Sequence, residues 1–339
     1  MKQVIRKRAT LRQVADQAQV STATVSRVLS GADPVAADKA ERVRAAAALL
    51  NYEPNRFASG LRRNRTGNIG LILPGFTNDF FFQLIAQSVE VGREEGYSVL
   101  VTGSEDPEDE AQNLIKSQLV DGILIVAAHT SNQSAVLNES PVPIVGFDRA
   151  PFERNYPLVH VDNEHGGWEV TRYLLDTGAR TVAHIAGPSE VLASARRQAG
   201  YERALLESGL SVDDRLIVTG DFTSEAGHAA ARQLLQSSGK PVDAIFAAND
   251  LMAIGAMRAA SELGMAIPEE LVVVGFDGIT SGNFTVPGLT TYVQPIAKMA
   301  RLAMLRLIES IDNPENQRNR EQIMVNGDLI VRESSSTRD

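Results

Sequence analysis

Two groups of side chains in this 339-residue chain have the types and spacing to do chemistry. The first is the run Ser21-Thr22-Ala23-Thr24-Val25-Ser26-Arg27, in which hydroxyls lead up to a guanidinium. Arg27 can donate two hydrogen bonds to guanine O6 and N7 or pair with a phosphate, and Thr22 and Ala23 offer a hydroxyl and a thymine-methyl contact. Ser21, Thr24 and Ser26 suit phosphate oxygens. The second group is dispersed: aromatic Phe80, Phe81 and Phe222 with Asp148, Arg149, Arg197, Asn249, Asp277 and Gln294. Aromatic faces ringed by carboxylate, guanidinium and amide groups suit a polyhydroxylated sugar, whose hydroxyls each need donor and acceptor partners. Simpler readings stand beside these: Ser21 as a helix cap, Thr24 as helix surface, Phe81 as core, Arg149 in a surface ion pair, Asp250 as a helix N-cap, and Asp277-Gly278 as turn chemistry.

Catalysis is not expected. The chain has no cysteine, so no disulfide, thiolate metal site or cysteine nucleophile is available. Its histidines, His129, His160, His165, His184 and His228, show no ligand spacing with carboxylates, and no Gly-x-Ser-x-Gly or phosphate loop occurs. Neither a metal nor a cofactor is expected.

The elements that must position these groups follow from charge and periodicity. Residues 1–66 carry 13 Lys and Arg against 5 Asp and Glu, while the remainder carries 20 against 37, so a net charge of −9 hides a basic start on an acidic body. Such a split is the footprint of a nucleic-acid-binding end. Thr10-Leu11-Arg12-Gln13 has the form of a capping box, and Leu11, Val14, Ala15 and Ala18 continue it as an apolar stripe. Ser21 caps a second short helix with Val25, Val28 and Leu29 on its inner face, ending near Ser30-Gly31, and a third spans about Ala37 to Leu50. Two short helices joined by a few residues make a helix-turn-helix, whose second helix lies in the major groove.

From Asn68 onward short apolar runs alternate with helical patterns, which predicts a parallel sheet with crossover helices. Strands are expected at Ile69–Leu73, Ser98–Thr102, Gly122–Val126, Pro143–Phe147, Val182–Ala186, Ala244–Ala247 and Val272–Phe276. Ligands bind beyond the carboxyl ends of such strands, so the loops after them should converge on one cleft. No apolar run approaches the roughly 18 residues that span a bilayer. The basic start leads into a polar helical pattern, so no secretory signal is expected and the protein is read as cytoplasmic.

The stretches Thr10 to Ala15, Ser21 to Leu29 and Asn51-Tyr52-Glu53-Pro54-Asn55 resemble the LacI/GalR family of bacterial repressors, and the resemblance covers essentially the whole chain. It implies an all-α helix-turn-helix headpiece (1–53), a hinge helix or linker (54–66), and an α/β two-lobed domain like the periplasmic binding proteins (67–339). The first lobe would hold about 67–162 and 293–322, the second 163–292 and 323–339. Expected at DNA are Thr10, Ser21, Thr22, Ala23, Thr24, Ser26 and Arg27 in the headpiece and Asn55, Arg56 and Leu61 in the linker. Leu61 matches the family's minor-groove wedge, which unstacks a base step. The set Asn78, Phe80, Phe81, Asp148, Arg149, Arg197, Phe222, Asn249, Asp277 and Gln294 looks like the ribose-binding version of the cleft, with Asp162 as an extra polar contact. The family resemblance thus points to a repressor of double-stranded operator DNA, homodimeric, with D-ribose as inducer; a nucleoside, a purine, another sugar or a corepressor role stays open. Two positions depart from the pattern. Gln19 replaces the usual turn glycine, and Asp79 replaces a proline.

Overall fold

The computed structural model describes residues 9–30, 35–52, 65–76, 78–104, 106–126, 137–150, 154–237, 239, 241–313, 315 and 320–336. The chain divides into two compact units, Met1–Gly67 and Asn68–Asp339. The first contains α1 (Leu11–Ala18), α2 (Thr22–Ser30) and α3 (Ala37–Leu49). The capping box at Thr10 is formed, with Gln13 N donating to the Thr10 hydroxyl (3.3 Å) and Thr10 N donating to Gln13 Oε1 (2.8 Å). Val14, Ala15 and Ala18 of α1, Val25 of α2, and Val43, Ala46 and Ala47 of α3 close a small core. The period-3.6 spacing of these residues is what turns them to one side of each helix.

Between α1 and α2, Gln19 adopts φ 54° and ψ 47°, the left-handed conformation that glycine takes without cost. Gln19→Gly should therefore stabilise the headpiece by about 0.5 kcal/mol, roughly 1 kcal/mol of relieved strain less the entropy of a freer unfolded chain. The check is the headpiece transition in a calorimetric melt, which should move up.

The second unit is two lobes, each built on a six-stranded sheet among the described residues. Chain order runs β1 (Asn68–Leu73), α4 (Asp79–Glu94), β2 (Ser98–Gly103), α5 (Pro107–Lys116), β3 (Gly122–Ile125), β4 (Ile144–Phe147) and β5 (Leu158–Val161) through the first lobe. Then come α6 (Asn163–Asp176), β6 (Val182–Ala186), α7 (Leu192–Glu207), β7 (Ile217–Thr219), α8 (Ser224–Ser237), β8 (Ala244–Ala247), α9 (Asp250–Glu262), β9 (Val272–Asp277) and β10 (Thr290–Val293) in the second. The chain returns to the first lobe with α10 (Ile296–Asp312) and β11 (Gln322–Val325) and ends in the second with β12 (Asp328–Ile330).

Strand orders are β11-β5-β4-β3-β1-β2 and β12-β10-β9-β8-β6-β7. All pairings are parallel except β10 with β12. The central strands β3, β4 and β8 are buried along their whole length, as continuous apolar runs covered by helices on both faces must be. The expected strands are present within a residue or so of their bounds. Those not anticipated, β5, β7, β10, β11 and β12, are three or four residues long and several carry polar residues, as in Thr-Thr-Tyr-Val and Asp-Leu-Ile. The last lobe boundary also differs from the expected residue 323. Gln322–Val325 all pair in parallel with Leu158–Val161, so the chain leaves the first sheet only after Val325.

Two glycines permit close approaches that set the site. A Cβ on Gly167 of α6 would collide with the Arg197 carbonyl of α7, and one on Gly327 would collide with the Val293 carbonyl, where two inter-lobe crossings run side by side. No helix among the described residues is long and apolar enough to cross a membrane.

Candidate functional site

On α2 the outward residues are Thr22, Ala23 and Arg27, all exposed, while Val25 is buried. Ala23 and Arg27, four residues apart, share a face. Ser21 caps the helix, accepting from Thr24 N at 3.1 Å, and its hydroxyl lies 2.9 Å from that of Thr24. The two hydroxyls sent by sequence to phosphate are therefore bonded to each other, which leaves one of their hydrogens for an outside acceptor. Thr10 is committed to its capping box. Ser26 is half-buried on the flank of the same helix. Asn55, Arg56 and Leu61 lie outside the described residues.

The dispersed polar set does come together, between the lobes. Asp148 and Arg149 follow β4, Arg197 projects from the second turn of α7, Asp277 ends β9, and Gln294 sits on the second crossing. All five are buried. Arg197, 1% exposed, spans the cluster. Its Nη1 donates to the Ala248 carbonyl (2.6 Å) and to Asp277 Oδ1 (3.2 Å), its Nε donates to Asn163 Oδ1 (2.8 Å), and its Nη2 faces Asp148 Oδ1 at 3.6 Å. The guanidinium lies over the Phe276 ring, 3.8 Å from its centre. Gln294 Nε2 donates to Asp277 Oδ1 (2.8 Å). Arg149 lies 3.7 Å from Asp148 Oδ2 and stacks on Phe222 at 4.0 Å, with Phe81 at 5.9 Å. The surface ion pair considered for Arg149 is thus a buried one.

Burial sets the electrostatics here. It pushes the Asp277 carboxyl up to about 6, with Asp148 adding to the rise and Arg197 and Arg149 opposing it. It pushes the Arg149 guanidinium down, against the pull of Asp148 and Asp277. Backbone strain gathers at the same place. Asp148, Phe222 and Asp277 have φ of 56°, 72° and 113°, unusual for residues other than glycine and typical of functional loops.

Several expected contacts also have structural duties. Asn78 caps α4, accepting from Phe80 N at 2.9 Å. Phe80, 1% exposed, packs edge-on against Phe81 and beside Phe147 in the lobe core, so of this pair only Phe81 reaches Arg149. Asp162 caps α6 through His165 N (3.0 Å) and faces a neighbouring cavity. Asn249 is the N-cap of α9, accepting from Met252 N (2.9 Å) and donating to the Phe222 carbonyl (3.0 Å), which holds the strained Phe222 in place.

The capping role read for Asp250 is therefore wrong, because Asn249 takes it. Asp250, fully buried, turns to the Asp277–Gly278 loop: one oxygen accepts from Gly278 N and Ile279 N, both at 2.8 Å, and the other pairs with the Thr291 hydroxyl. Burial pushes this carboxyl up to about 8, and Asp277 adds to the rise. An unfolded aspartate ionises near 4. The folded chain therefore holds the proton more tightly, and stability present at low pH is lost as pH rises through that window. Asp250→Asn preserves the geometry, its carbonyl accepting the two amides and its amide donating to Thr291. Between pH 5 and pH 8.5 its unfolding free energy should fall by about 3 kcal/mol or more less than that of the parent; parallel curves would refute the assignment.

Asn163, Asp250, Phe276 and Thr291 were not foreseen as parts of this site. Their partners lie 34, 28, 79 and 41 residues away, and no local pattern marks them. His184 is a core histidine, stacked between Tyr201 and Phe246 and pushed down to about 4 by burial. His165 and His228 each pair with one carboxylate, Glu169 and Glu262, and no metal-holding cluster occurs among the described residues.

Comparison with known proteins agrees with both halves. Residues 10–55 match the model of the bacterial regulatory proteins of the lacI family, and residues 171–335 match a periplasmic binding protein-like domain. The ribose operon repressor of Halalkalibacterium halodurans is 37% identical over 290 residues, 85% of this chain and 86% of that one. Among solved structures, the complex of the transcriptional regulator CelR with cellobiose superposes with a TM-score of 0.74 at 32% identity, covering 96% of this chain and 100% of that one. The lac repressor dimer bound to operator and the anti-inducer ONPF gives 0.85 at 27%, covering 98% and 100%. A helix-turn-helix ahead of a two-lobed ligand-binding fold, with similarity along 85% of the chain, makes this protein a DNA-binding transcription regulator of the lacI family.

Proposed function

We propose that this regulator is a repressor, acting as a homodimer on a pseudo-symmetric operator, and that a sugar bound in the inter-lobe cleft, D-ribose, releases it from DNA. One observation carries the ligand class. Asp148 Oδ1 and Gln294 Oε1 are buried acceptor oxygens without a hydrogen-bond partner among the described residues. Buried acceptors left unmatched cost free energy, and a ligand that brings O–H donors relieves it. A sugar hydroxyl gives its hydrogen to such an oxygen while its own lone pairs accept from Arg149 and Arg197; a phosphate ester at neutral pH is largely deprotonated and has few hydrogens to give. The similarity to a ribose operon repressor supports D-ribose as that sugar.

The mechanism is a population shift. The ligand's partners lie on both lobes, Asp148 and Arg149 on one and Arg197 and Asp277 on the other, so occupancy favours the lobe arrangement in which all reach it. That arrangement sets the spacing of the two linkers in a dimer, and linker order with the Leu61 wedge sets operator affinity. The homodimer follows from two headpieces meeting two half-sites. D-ribose titrated into the protein-operator complex should weaken operator binding at least about tenfold by millimolar concentration, a coupling of ordinary size. Unchanged affinity refutes ribose, and tightened affinity makes the ligand a corepressor.

A further inference from the structure

A second cavity of about 340 Å³ lies between the lobes, sharing Asp148 as a wall with the cleft just described. Arg154, His160 and Gln322 line it from the first lobe, and Glu164, Ala193 and Arg196 from the second. Its acidic groups each have a partner through at least one oxygen, though Asp148 Oδ1 itself has no hydrogen bond among the described residues. Glu164 pairs with Arg196 (2.8 Å) and Arg203 (3.2 Å), Asp162 spends an oxygen on the cap of α6, and Asp148 lies between Arg149 and Arg197. Arg154 is the exception. It is 5% exposed, and its Nε and Nη2 have no hydrogen-bond partner among the described residues. Burial pushes its guanidinium down, with Tyr156 opposing the fall and the positive charge of Arg320 adding to it.

A buried guanidinium with two idle donors is costly unless something completes it. The opposite wall supplies a second feature of the same sign. The 16-residue helix α7 begins at this cavity, with Leu192 and Ala193 on the lining, and its N-cap, Val191, has no side chain able to accept from the free amides of the first turn. Those amides and the helix dipole attract negative charge. Unmatched donors on one wall and an open helix start on the other have one chemical complement.

We propose that this cavity is a second ligand site that takes a small oxyanion, a phosphate or carboxylate group, held by Arg154 from the first lobe and the start of α7 from the second. Charge-assisted bonds from a guanidinium to such a group are among the strongest a side chain makes. The volume admits the group together with a small metabolite that carries it. Because the two walls belong to different lobes, an oxyanion here favours one lobe arrangement and so couples to operator affinity.

Calorimetric titration of the full-length protein with inorganic phosphate, with acetate and with D-ribose, at constant ionic strength in chloride, tests this. The expected result is saturable binding of at least one of the two anions, weakened about tenfold or more in Arg154→Gln and again in Gln322→Glu, which adds a negative charge on the exposed rim. D-ribose binding should be the same in both variants as in the parent. Saturable phosphate binding assigns a phosphoryl ligand and saturable acetate binding alone a carboxylate one. No saturable binding of either anion below about 20 mM overturns the site. So does anion binding that survives both substitutions in proteins that melt as the parent does. Loss of D-ribose binding with the anion retained would count against the sugar reading only.

Discussion

Arg197→Ala is expected to abolish the response to effector, lowering effector affinity at least about a hundredfold, the usual cost of removing a buried charged hydrogen-bond partner. Operator binding by the ligand-free protein should persist, since Arg197 lies in the second lobe and α2 in the headpiece. The geometry sharpens this. Arg197 is the cation between Asp148 and Asp277, and it also ties α7 to Asn163 and to the Ala248 carbonyl. Its removal leaves two carboxylates facing a site without its charge, at a cost of about 3–5 kcal/mol in stability. Asp277, already pushed up to about 6 with Arg197 opposing the rise, would then be pushed further up. Arg197→Lys separates the two effects. It keeps a charge near the carboxylates but not the planar fork, so stability should recover more than effector affinity does. Equal effector binding in parent and Arg197→Ala would remove Arg197 from the site.

Leu61→Ala should do the converse. An apolar wedge bends the duplex at a cost of a few kcal/mol repaid by wider contact, and a methyl group cannot hold the step open. Specific operator affinity should fall about 30-fold or more, while affinity for unrelated duplex and for effector stays at parental values. Fluorescence anisotropy against an operator recovered by selection from random duplexes, with a scrambled control, reads both. A loss shared by the scrambled duplex would make Leu61 a structural residue of the linker. The expected effect is large because the headpiece has little else to read with. Ala23 and Thr22 offer weak base contacts, and Ser21 and Thr24 spend hydroxyls on each other, so discrimination leans on Arg27 and on DNA shape.

The two unfilled acceptors, Asp148 Oδ1 and Gln294 Oε1, belong to the cleft, and the unfilled donors of Arg154 belong to the neighbouring cavity, which shares Asp148 and Asn163 with it. A hydroxyl-rich ligand suits the first and an oxyanion the second. On the two proposals, chemistries that meet at the lobe boundary would let the regulator weigh two signals through one motion.

Where side chains answer to their sequence neighbours, the residues alone were enough. The capping box at Thr10, the apolar stripe of α1, the left-handed turn at Gln19 and the continuous apolar runs of β1, β3, β8 and β9 are all local: a helix period or a buried strand is written within a dozen residues. The same holds for Asp148, Arg149 and Asp277, because loops after parallel strands converge on one edge. Tertiary structure decided what those groups do. Asn249 caps and Asp250 does not, since a loop some 28 residues on offers Asp250 two amides. Phe80 went to the core and Phe81 to Arg149, though the two are adjacent in sequence and alike in type. Arg197 meets a carboxylate 80 residues away. The short strands β5, β10, β11 and β12 form only because their sheets are already there to pair with, and they fix where the chain crosses between lobes. Such choices depend on which long-range partner arrives within about 3 Å, and that distance is set by the packing of the whole domain.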